Sequence, residues 1–301
     1  MASDDRASQL VQQLLTNPTV RIKDTKATTE KLSTILQDGR PNLHFICDFD
    51  MTMSRYYTRN KDTGALQRNP SCHGVPSLYS KMDPKFKITT DNLLNTYYPI
   101  EIHKEMTREQ KLPYMIEWWQ KAHAAMSAQK ITRDDIRGMA EETPVELRPG
   151  IDTVLELCYT RALPFLVFSA GIGNIIDEIL KEHKLMFPNM HIVSNMMKFD
   201  EQGVCVDFEE PLIHVFNKSE FQLENTPYYK TIKDRANVIL IGDSEGDLQM
   251  SQGVKHNLCL NIGFCNHDCE ALEPKYTEKF DIVIMGDADF NPVIDILECL
   301  G

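Results

Sequence analysis

An α/β fold, built on a parallel sheet with a helical block inserted after the first core strand, is predicted by three observations. Short apolar runs at Leu43–Cys47, Pro164–Phe168 and Val238–Ile241 each stop at polar, chemistry-bearing residues, as strands buried on both faces of a parallel sheet do. Between the first two lie about sixty residues of helical periodicity with no strand-like interruption. Helical segments separate the second run from those after it.

In chain order, Ala7 to Leu15 and Thr28 to Gln37 carry apolar residues at helical spacing and read as an outer helical arm over residues 1–40. The turn Asp38-Gly39-Arg40-Pro41 closes it before the first core strand. From Arg59 to Pro84 the chain is rich in Arg, Lys, Asn, Gly and Pro and reads as a loop. Thr90 to Tyr98 and Thr107 to Gln129 are expected helices, and the capping box Thr132-x-x-Asp135 opens a third that ends near Thr143-Pro144. Residues 56–145 are therefore expected to form a cap that can close over a site, and residues 41–55 with 146–301 an α/β core. Pro149-Gly150 starts a helix that leads into the second strand, which ends at Ser169 and turns into a helix from Asn174 to His183. His191-Ile-Val-Ser and Gly203-Val-Cys-Val-Asp-Phe are strand-like around the turn at Asp200-Glu-Gln-Gly. Cys259 to Ile262 and Ile282 to Ile284 are further candidate strands.

A formal charge of -12 over 301 residues argues against a nucleic-acid or anionic-membrane partner, since both are gripped by clustered Lys and Arg. The eight cysteines are too dispersed for a disulfide scaffold, and free thiols are expected. The acidic start lacks an apolar signal segment and nowhere do eighteen apolar residues run together, so a cytoplasmic chain is expected. A monomer is expected, on no specific signal in the sequence.

Open parallel sheets place ligands at the carboxyl ends of their strands, which directs attention to Asp48 and Asp50 in Cys47-Asp-Phe-Asp-Met-Thr52. Crowded carboxylates repel unless a cation lies between them, and hard oxygens at a strand end suit Mg²⁺. One aspartate can also attack a phosphoryl group while the other protonates the leaving alkoxide and then activates water. In that scheme Asp48 is the nucleophile, Asp50 the acid and base, and Thr52 holds the loop by hydrogen bonds. A plain loop with two aspartates is the alternative for this motif alone. A calcium loop fails, because Met53 and Arg59 stand where it needs Gly and Glu. Gly171-Ile-Gly173 falls short of a dinucleotide fingerprint, with Ile176 at the third glycine position. Ser169 with Ala170 and Gly171 before a helix N-terminus suits a single phosphate better. Lys218 can offset charge on a phosphoryl group, and Asp243 and Asp247 in Gly242-Asp-Ser-Glu-Gly-Asp247 can bring one or both carboxylates to the same metal. Cys265-Asn-His-Asp-Cys269 lacks a second ligand pair at zinc spacing.

These four strand-end elements, in the order Asp-x-Asp, Ser, Lys, Gly-Asp-x-x-Gly-Asp, together resemble the haloacid dehalogenase-like phosphohydrolases. The resemblance implies a Rossmann-like sheet, Mg²⁺ and an aspartyl-phosphate, with Asp48 and Asp243 binding the metal through side chains and Asp50 through its carbonyl. Asp48-Phe-Asp-Met-Thr-x-Ser-Arg55, Tyr114-Met-x-Glu-Trp118-Trp119, Phe168-Ser-Ala-Gly-Ile-Gly173, Leu212-Ile-His-Val-Phe-Asn-Lys218 and Gly242-Asp-Ser-x-Gly-Asp-Leu248 are similar, more narrowly, to the type III cytosolic 5′-nucleotidases. That likeness implies hydrolysis of nucleoside 5′-monophosphates, with Glu101 reading the polar edge of the base and His73 and Trp119 sandwiching it. By themselves, Trp118 and Trp119 are core aromatics as readily as a base platform. Trp119 and Ala122 match the branch that also takes 7-methylguanosine monophosphate, where the pyrimidine-preferring branch carries Tyr and Ser. A cationic base over an indole gains about 0.5–2 kcal/mol, which favours that branch.

Overall fold

Seven strands form one sheet in a computed structural model that describes residues 2–60, 62–103, 105–143, 145–218, 226, 228–252 and 256–301. The chain begins with α1 (Ser3–Thr16), β1 (Val20–Arg21) and α2 (Thr25–Asp38), then enters β2 (Leu43–Cys47). A hairpin follows, β3 (Tyr57–Arg59) with β4 (Leu66–Arg68), and then the helices α3 (Pro84–Glu101), α4 (Arg108–Ser127) and α5 (Arg133–Glu142). The core resumes with α6 (Ile151–Thr160), β5 (Phe165–Ile172), α7 (Gly173–Glu182), β6 (Met190–Asn195), and the small hairpin of β7 (Met197–Phe199) and β8 (Cys205–Phe208). It ends with α8 (Tyr229–Ile232), β9 (Asn237–Gly242), β10 (Leu258–Cys265), α9 (Cys269–Lys279), β11 (Ile282–Met285) and α10 (Asn291–Leu300).

The strand order is β1-β11-β10-β9-β2-β5-β6, parallel throughout except for β1. Every residue of β2, β5, β9 and β11 is buried, which is why those runs read as continuous apolar segments rather than alternating ones. From β2 the chain builds outward to β5 and β6, then returns to build β9, β10 and β11 on the other side. The carboxyl end of β2 thus lies where the strand order reverses, the place open α/β sheets use for ligands.

Two sequence expectations are corrected here. The N-terminal arm is not only helical: Val20 pairs with Ile284, so β1 closes the sheet edge antiparallel to β11. A two-residue strand has no period to detect. The stretch from Arg59 was expected to be a loop, yet Tyr57–Arg59 pairs with Leu66–Arg68. The turn between them is closed by the Asn60 side chain, which accepts from the backbone N–H groups of Asp62 and Thr63, and Gly64 sits at φ +68. The Thr132–Asp135 capping box is present and opens α5, which ends at Glu142; Pro144 lies outside the described residues.

Two linking segments run between the sheet and residues 56–145 and are bonded to each other. Arg55 N–H donates to the Glu146 carbonyl at 2.9 Å and Arg148 N–H to the Met53 carbonyl at 2.8 Å. Asp287 accepts from Tyr56 N–H at 2.8 Å, fixing the outgoing strand to the end of β11. α5, the end of α4 and Phe86 at the start of α3 share the larger apolar core, whereas the rest of α3 and α4 place Tyr97, Met115 and Trp119 in one cluster with Ile46, Phe168 and Leu240.

His44, on β2, is fully buried, and neither ring nitrogen has a partner among the described residues. Burial first, then the charges of His256 and Arg235, push its pKa from 6.5 down to about 3. Between those values the folded state binds fewer protons than the unfolded state, so stability is lost as pH falls below 6.5. This group alone contributes a slope of up to about 1.4 kcal/mol per pH unit. His44→Leu is expected to flatten that slope in urea unfolding; an unchanged slope contradicts the assignment.

Candidate active site

β2 delivers Asp48 to the reversal point, where its N–H bonds the Ile241 carbonyl of β9 at 2.9 Å. The chain then makes one wide turn, closed by Ser54 N–H on the Phe49 carbonyl at 3.0 Å, with Met51 in the left-handed region at φ +64. A non-glycine residue there costs about 1 kcal/mol or more, so something must hold it. The Met51 carbonyl accepts from Arg148 Nη2 at 2.7 Å and from Asn266 Nδ2 at 2.8 Å, and Met51 N–H donates to Ser54 Oγ at 2.9 Å. Thr52 was expected to hold this loop through its hydroxyl. Its buried Oγ1 instead lacks a partner among the described residues, and its carbonyl does the holding, accepting from Arg148 Nε at 2.7 Å. An arginine fork reaches two successive carbonyls that a short threonine side chain cannot span.

Lys218 arrives on the segment after β8, far away in sequence, and is buried against Asp48, to which it is hydrogen-bonded, and Asp247, whose Oδ1 lies 2.7 Å away. One carboxylate oxygen each from Asp48, Asp243 and Asp247 lie within 4.8 Å of one another. Burial pushes Asp48 up to about 7 despite the opposing pull of Lys218, with the Asp247 charge adding to the rise. Burial, then the charges of Asp247 and Asp48, raise Asp243 well above the usual carboxylate range. Burial would drive the Lys218 ammonium down, but Asp247 and Asp48 outweigh it and hold it above the ordinary lysine value.

Three acids facing one ammonium leave excess negative charge in a dry site, and a divalent cation with oxygen ligands relieves it. Asp247 is already spent: Oδ1 takes Lys218, while Oδ2 takes Asp243 N–H at 3.1 Å and Ser244 N–H at 2.9 Å. Asp48 and Asp243 retain oxygens for a metal. Tyr276 OH bonds the Asp243 carbonyl at 2.5 Å and steadies that strand end.

On the other side, Ser169 is buried and its Oγ accepts Gly171 N–H at 3.0 Å. β5 does not stop at Ser169 as expected but runs on to Ile172, with irregular pairing to β6 between Phe168 and Ile172. Asp50 faces this bulge. Its Oδ1 accepts Cys72 N–H, from the segment after β4, at 2.9 Å, and its carboxyl is raised by burial, with that N–H drawing it partly back.

The residues expected to read the base are arranged less like the expectation. Trp119 is 8% exposed and its indole N–H donates to the Ala170 carbonyl at 3.2 Å, so it ties α4 to the bulge of β5. His73 meets Trp119 edge to face, centroids 5.7 Å apart at 74°, and lies parallel to His123, which in turn stacks on Phe208 at 3.8 Å. A planar base between two parallel rings needs them about 7 Å apart, twice an aromatic contact distance. The structure therefore brings His73 and Trp119 together edge to face, without the parallel slot that a sandwiched base needs. Glu101 ends α3 half-buried, pushed up to about 7 by burial against the pull of Lys111. Ala122 is half-buried on α4, next to His123.

Residues 51–301 match the model of the pyrimidine 5′-nucleotidase (UMPH-1) family. The chain belongs to that family. It is 36% identical over 287 residues to the 7-methylguanosine phosphate-specific 5′-nucleotidase A of Xenopus laevis, covering 95% of this chain and 97% of that protein. Its fold is similar to a crystal structure of cytosolic 5′-nucleotidase IIIB bound to cytidine, with a TM-score of 0.88, 32% identity, and coverage of 96% of this chain and 97% of that one. A had family hydrolase of Salmonella enterica serovar Typhi shares the fold at 13% identity and a TM-score of 0.52, over 87% of this chain and 73% of that one. The chain is thus a 5′-nucleotidase, a phosphoric monoester hydrolase on a haloacid dehalogenase-like fold.

Several residues that shape this nucleotidase site escaped the sequence reading. Arg148 precedes an expected helix start, Asn266 and Asp287 follow strand ends, and Cys72 lies in a segment expected to be a plain loop. The strand-end rule that singled out Asp48 would also have flagged Asn266 and Asp287. Gly242 matters by what it lacks: a Cβ there would lie 2.4 Å from Asp247 Cβ. Gly242→Ala must displace Asp247 and with it Lys218, and is expected to lower kcat about 10- to 100-fold. Turnover within twofold of the parent would mean that the Asp247–Lys218 contact is dispensable.

Proposed function

We propose that this chain is a Mg²⁺-dependent 5′-nucleotidase that converts nucleoside 5′-monophosphates, 7-methylguanosine monophosphate and pyrimidine monophosphates such as CMP among them, to nucleoside and phosphate. The observation that carries the reading is the convergence of Asp48, Lys218, Asp243 and Asp247 at the sheet's reversal point. Asp48 attacks phosphorus, the P–O5′ bond breaks, and Asp50 gives its proton to the departing alkoxide. Asp50 then takes a proton from water, which attacks the aspartyl-phosphate, frees inorganic phosphate and restores Asp48. Lys218 offsets phosphoryl charge, and Ser169 with the backbone of Ala170 and Gly171 holds the phosphoryl oxygens. Mg²⁺ would be held by Asp48 and Asp243 with the Asp50 carbonyl, supplying Lewis-acid stabilisation and keeping both carboxylates ionised. Chelation is expected to abolish phosphate release and added Mg²⁺ to restore it; turnover that persists after exhaustive chelation counts against the metal.

Residues 56–145 serve in this reading as the cap that recognises the base, through Glu101, His73, Trp119 and Ala122, and the chain works in the cytoplasm as a monomer. The relative specific for 7-methylguanosine phosphate and the neighbour bound to cytidine support both base classes. An indole at position 119 favours the cationic base by roughly one decade. Phosphate release from 7-methylguanosine, cytidine and uridine monophosphates tests this. Equal rates on all three would remove the preference, and activity confined to phosphoserine or sugar phosphates would replace the nucleotidase reading with a small-metabolite phosphatase.

A further inference from the structure

Asn195, the last residue of β6, is 1% exposed and touches no reacting group, yet it joins both arms of the phosphoryl-binding apparatus. Its Nδ2 lies 2.9 Å from the Ala170 carbonyl, 2.7 Å from the Ile213 carbonyl and 3.3 Å from the Gly171 carbonyl, and its Oδ1 accepts Ile213 N–H at 2.9 Å. Ser194 Oγ donates to the same Gly171 carbonyl at 2.7 Å.

We infer that Asn195 is a positioning residue that sets the phosphate-binding bulge of β5 and the Lys218 segment in register with each other. The physical reason lies in the peptide plane. In a trans peptide the C=O and N–H point in opposite directions, so a carbonyl pinned from behind aims the following N–H forward. The Ala170 carbonyl is held by Asn195 and by Trp119, which turns Gly171 N–H toward Ser169 Oγ, 3.0 Å away. The Asp50 carboxylate borders the same spot: a Cβ on Gly171 would lie 3.2 Å from its Oδ2. On the other arm, the chain from Leu212 to Lys218 is knit into one unit. His214 N–H donates to Asn217 Oδ1, and Asn217 Nδ2 donates to the Leu212 carbonyl, both at 2.7 Å. A shift at Ile213 is therefore carried to Lys218 rather than absorbed. Asn195 bonds both faces of Ile213, so the distance between the serine that holds the phosphoryl group and the lysine that neutralises it is set by one amide.

This rests on Ser169 and Lys218 acting as the phosphoryl-binding groups. Asn195→Asp keeps the shape and the acceptor but removes both donors. Its kcat is expected to fall about a hundredfold, as for an ångström-scale misplacement. Orthovanadate, a phosphoryl mimic, is expected to inhibit it about tenfold more weakly, while KM for CMP moves far less because the base is gripped elsewhere. Should that variant not fold, Ser194→Ala, which removes one of the two bonds on the Gly171 carbonyl, is expected to weaken orthovanadate inhibition about threefold in a folded protein. A folded Asn195→Asp protein with parental kcat and orthovanadate sensitivity, or, where only Ser194→Ala folds, unchanged orthovanadate sensitivity in that variant, overturns the assignment. A parent protein that releases phosphate yet ignores orthovanadate instead refutes the role given to Ser169 and Lys218.

Discussion

Asp48→Asn is expected to lower kcat for CMP or 7-methylguanosine monophosphate at least about 10⁴-fold, because an amide cannot form the acyl phosphate. The loss should come without loss of fold. Asp48 is buried beside Asp247 and Asp243, and its carboxyl is pushed up to about 7, so the ionised form is disfavoured where it sits. A neutral amide of the same shape removes that repulsion, while Lys218 keeps Asp247 as partner at 2.7 Å. In metal-free buffer the variant is therefore expected to unfold at the same or a higher urea concentration than the parent. Near-parental turnover in a folded protein would remove Asp48 as nucleophile. Equal losses of activity and stability would make its role structural.

Arg148→Met is expected to have the largest effect on stability, about 3–5 kcal/mol by urea unfolding. Arg148 is the largest fully buried side chain among the described residues. It donates to the carbonyls of Met51, Thr52 and Ala288, each at 2.7 Å, and to Asn266 Oδ1 at 2.9 Å, and it pairs with Asp287 at 3.1 Å. Methionine fills much of the volume but leaves those acceptors dry. Because Arg148 also holds the left-handed Met51 between Asp50 and Thr52, activity at a permissive temperature should fall further than the folded fraction. A stability change below about 1 kcal/mol would mean that water replaces the guanidinium, contrary to its burial.

What was legible in the sequence followed from burial and from strand ends. β2, β5 and β9 are buried on both faces, so their apolar runs stand out, and the first polar side chain after each run is a candidate site residue, Asp48, Ser169 or Asp243, although β5 itself continues to Ile172. The parallel sheet and the meeting of the Asp48 and Asp243 strand ends could be read from that pattern, whereas Lys218 lies on no strand and joined them only through the resemblance to a known family. Contacts made by backbone groups could not. The turn at Met51 depends on carbonyls that Arg148 and Asn266 reach from distant parts of the chain, and no residue spacing encodes it. β1 and the β3–β4 hairpin are too short for a period, so pairing partners rather than composition create them. Trp119 was legible as an aromatic with two possible uses; only its indole N–H on the Ala170 carbonyl reveals that it also ties α4 to β5.

The covalent step on Asp48 is what the rest of this account depends on. Rapid acid quench during turnover of CMP, followed by borohydride reduction and peptide mass analysis, reads it directly, since reduction of an aspartyl-phosphate leaves homoserine. Homoserine at position 48, absent from Asp48→Asn, is the predicted result. Steady phosphate release with position 48 unmodified at every quench time, or with the reduced residue found elsewhere, would contradict it.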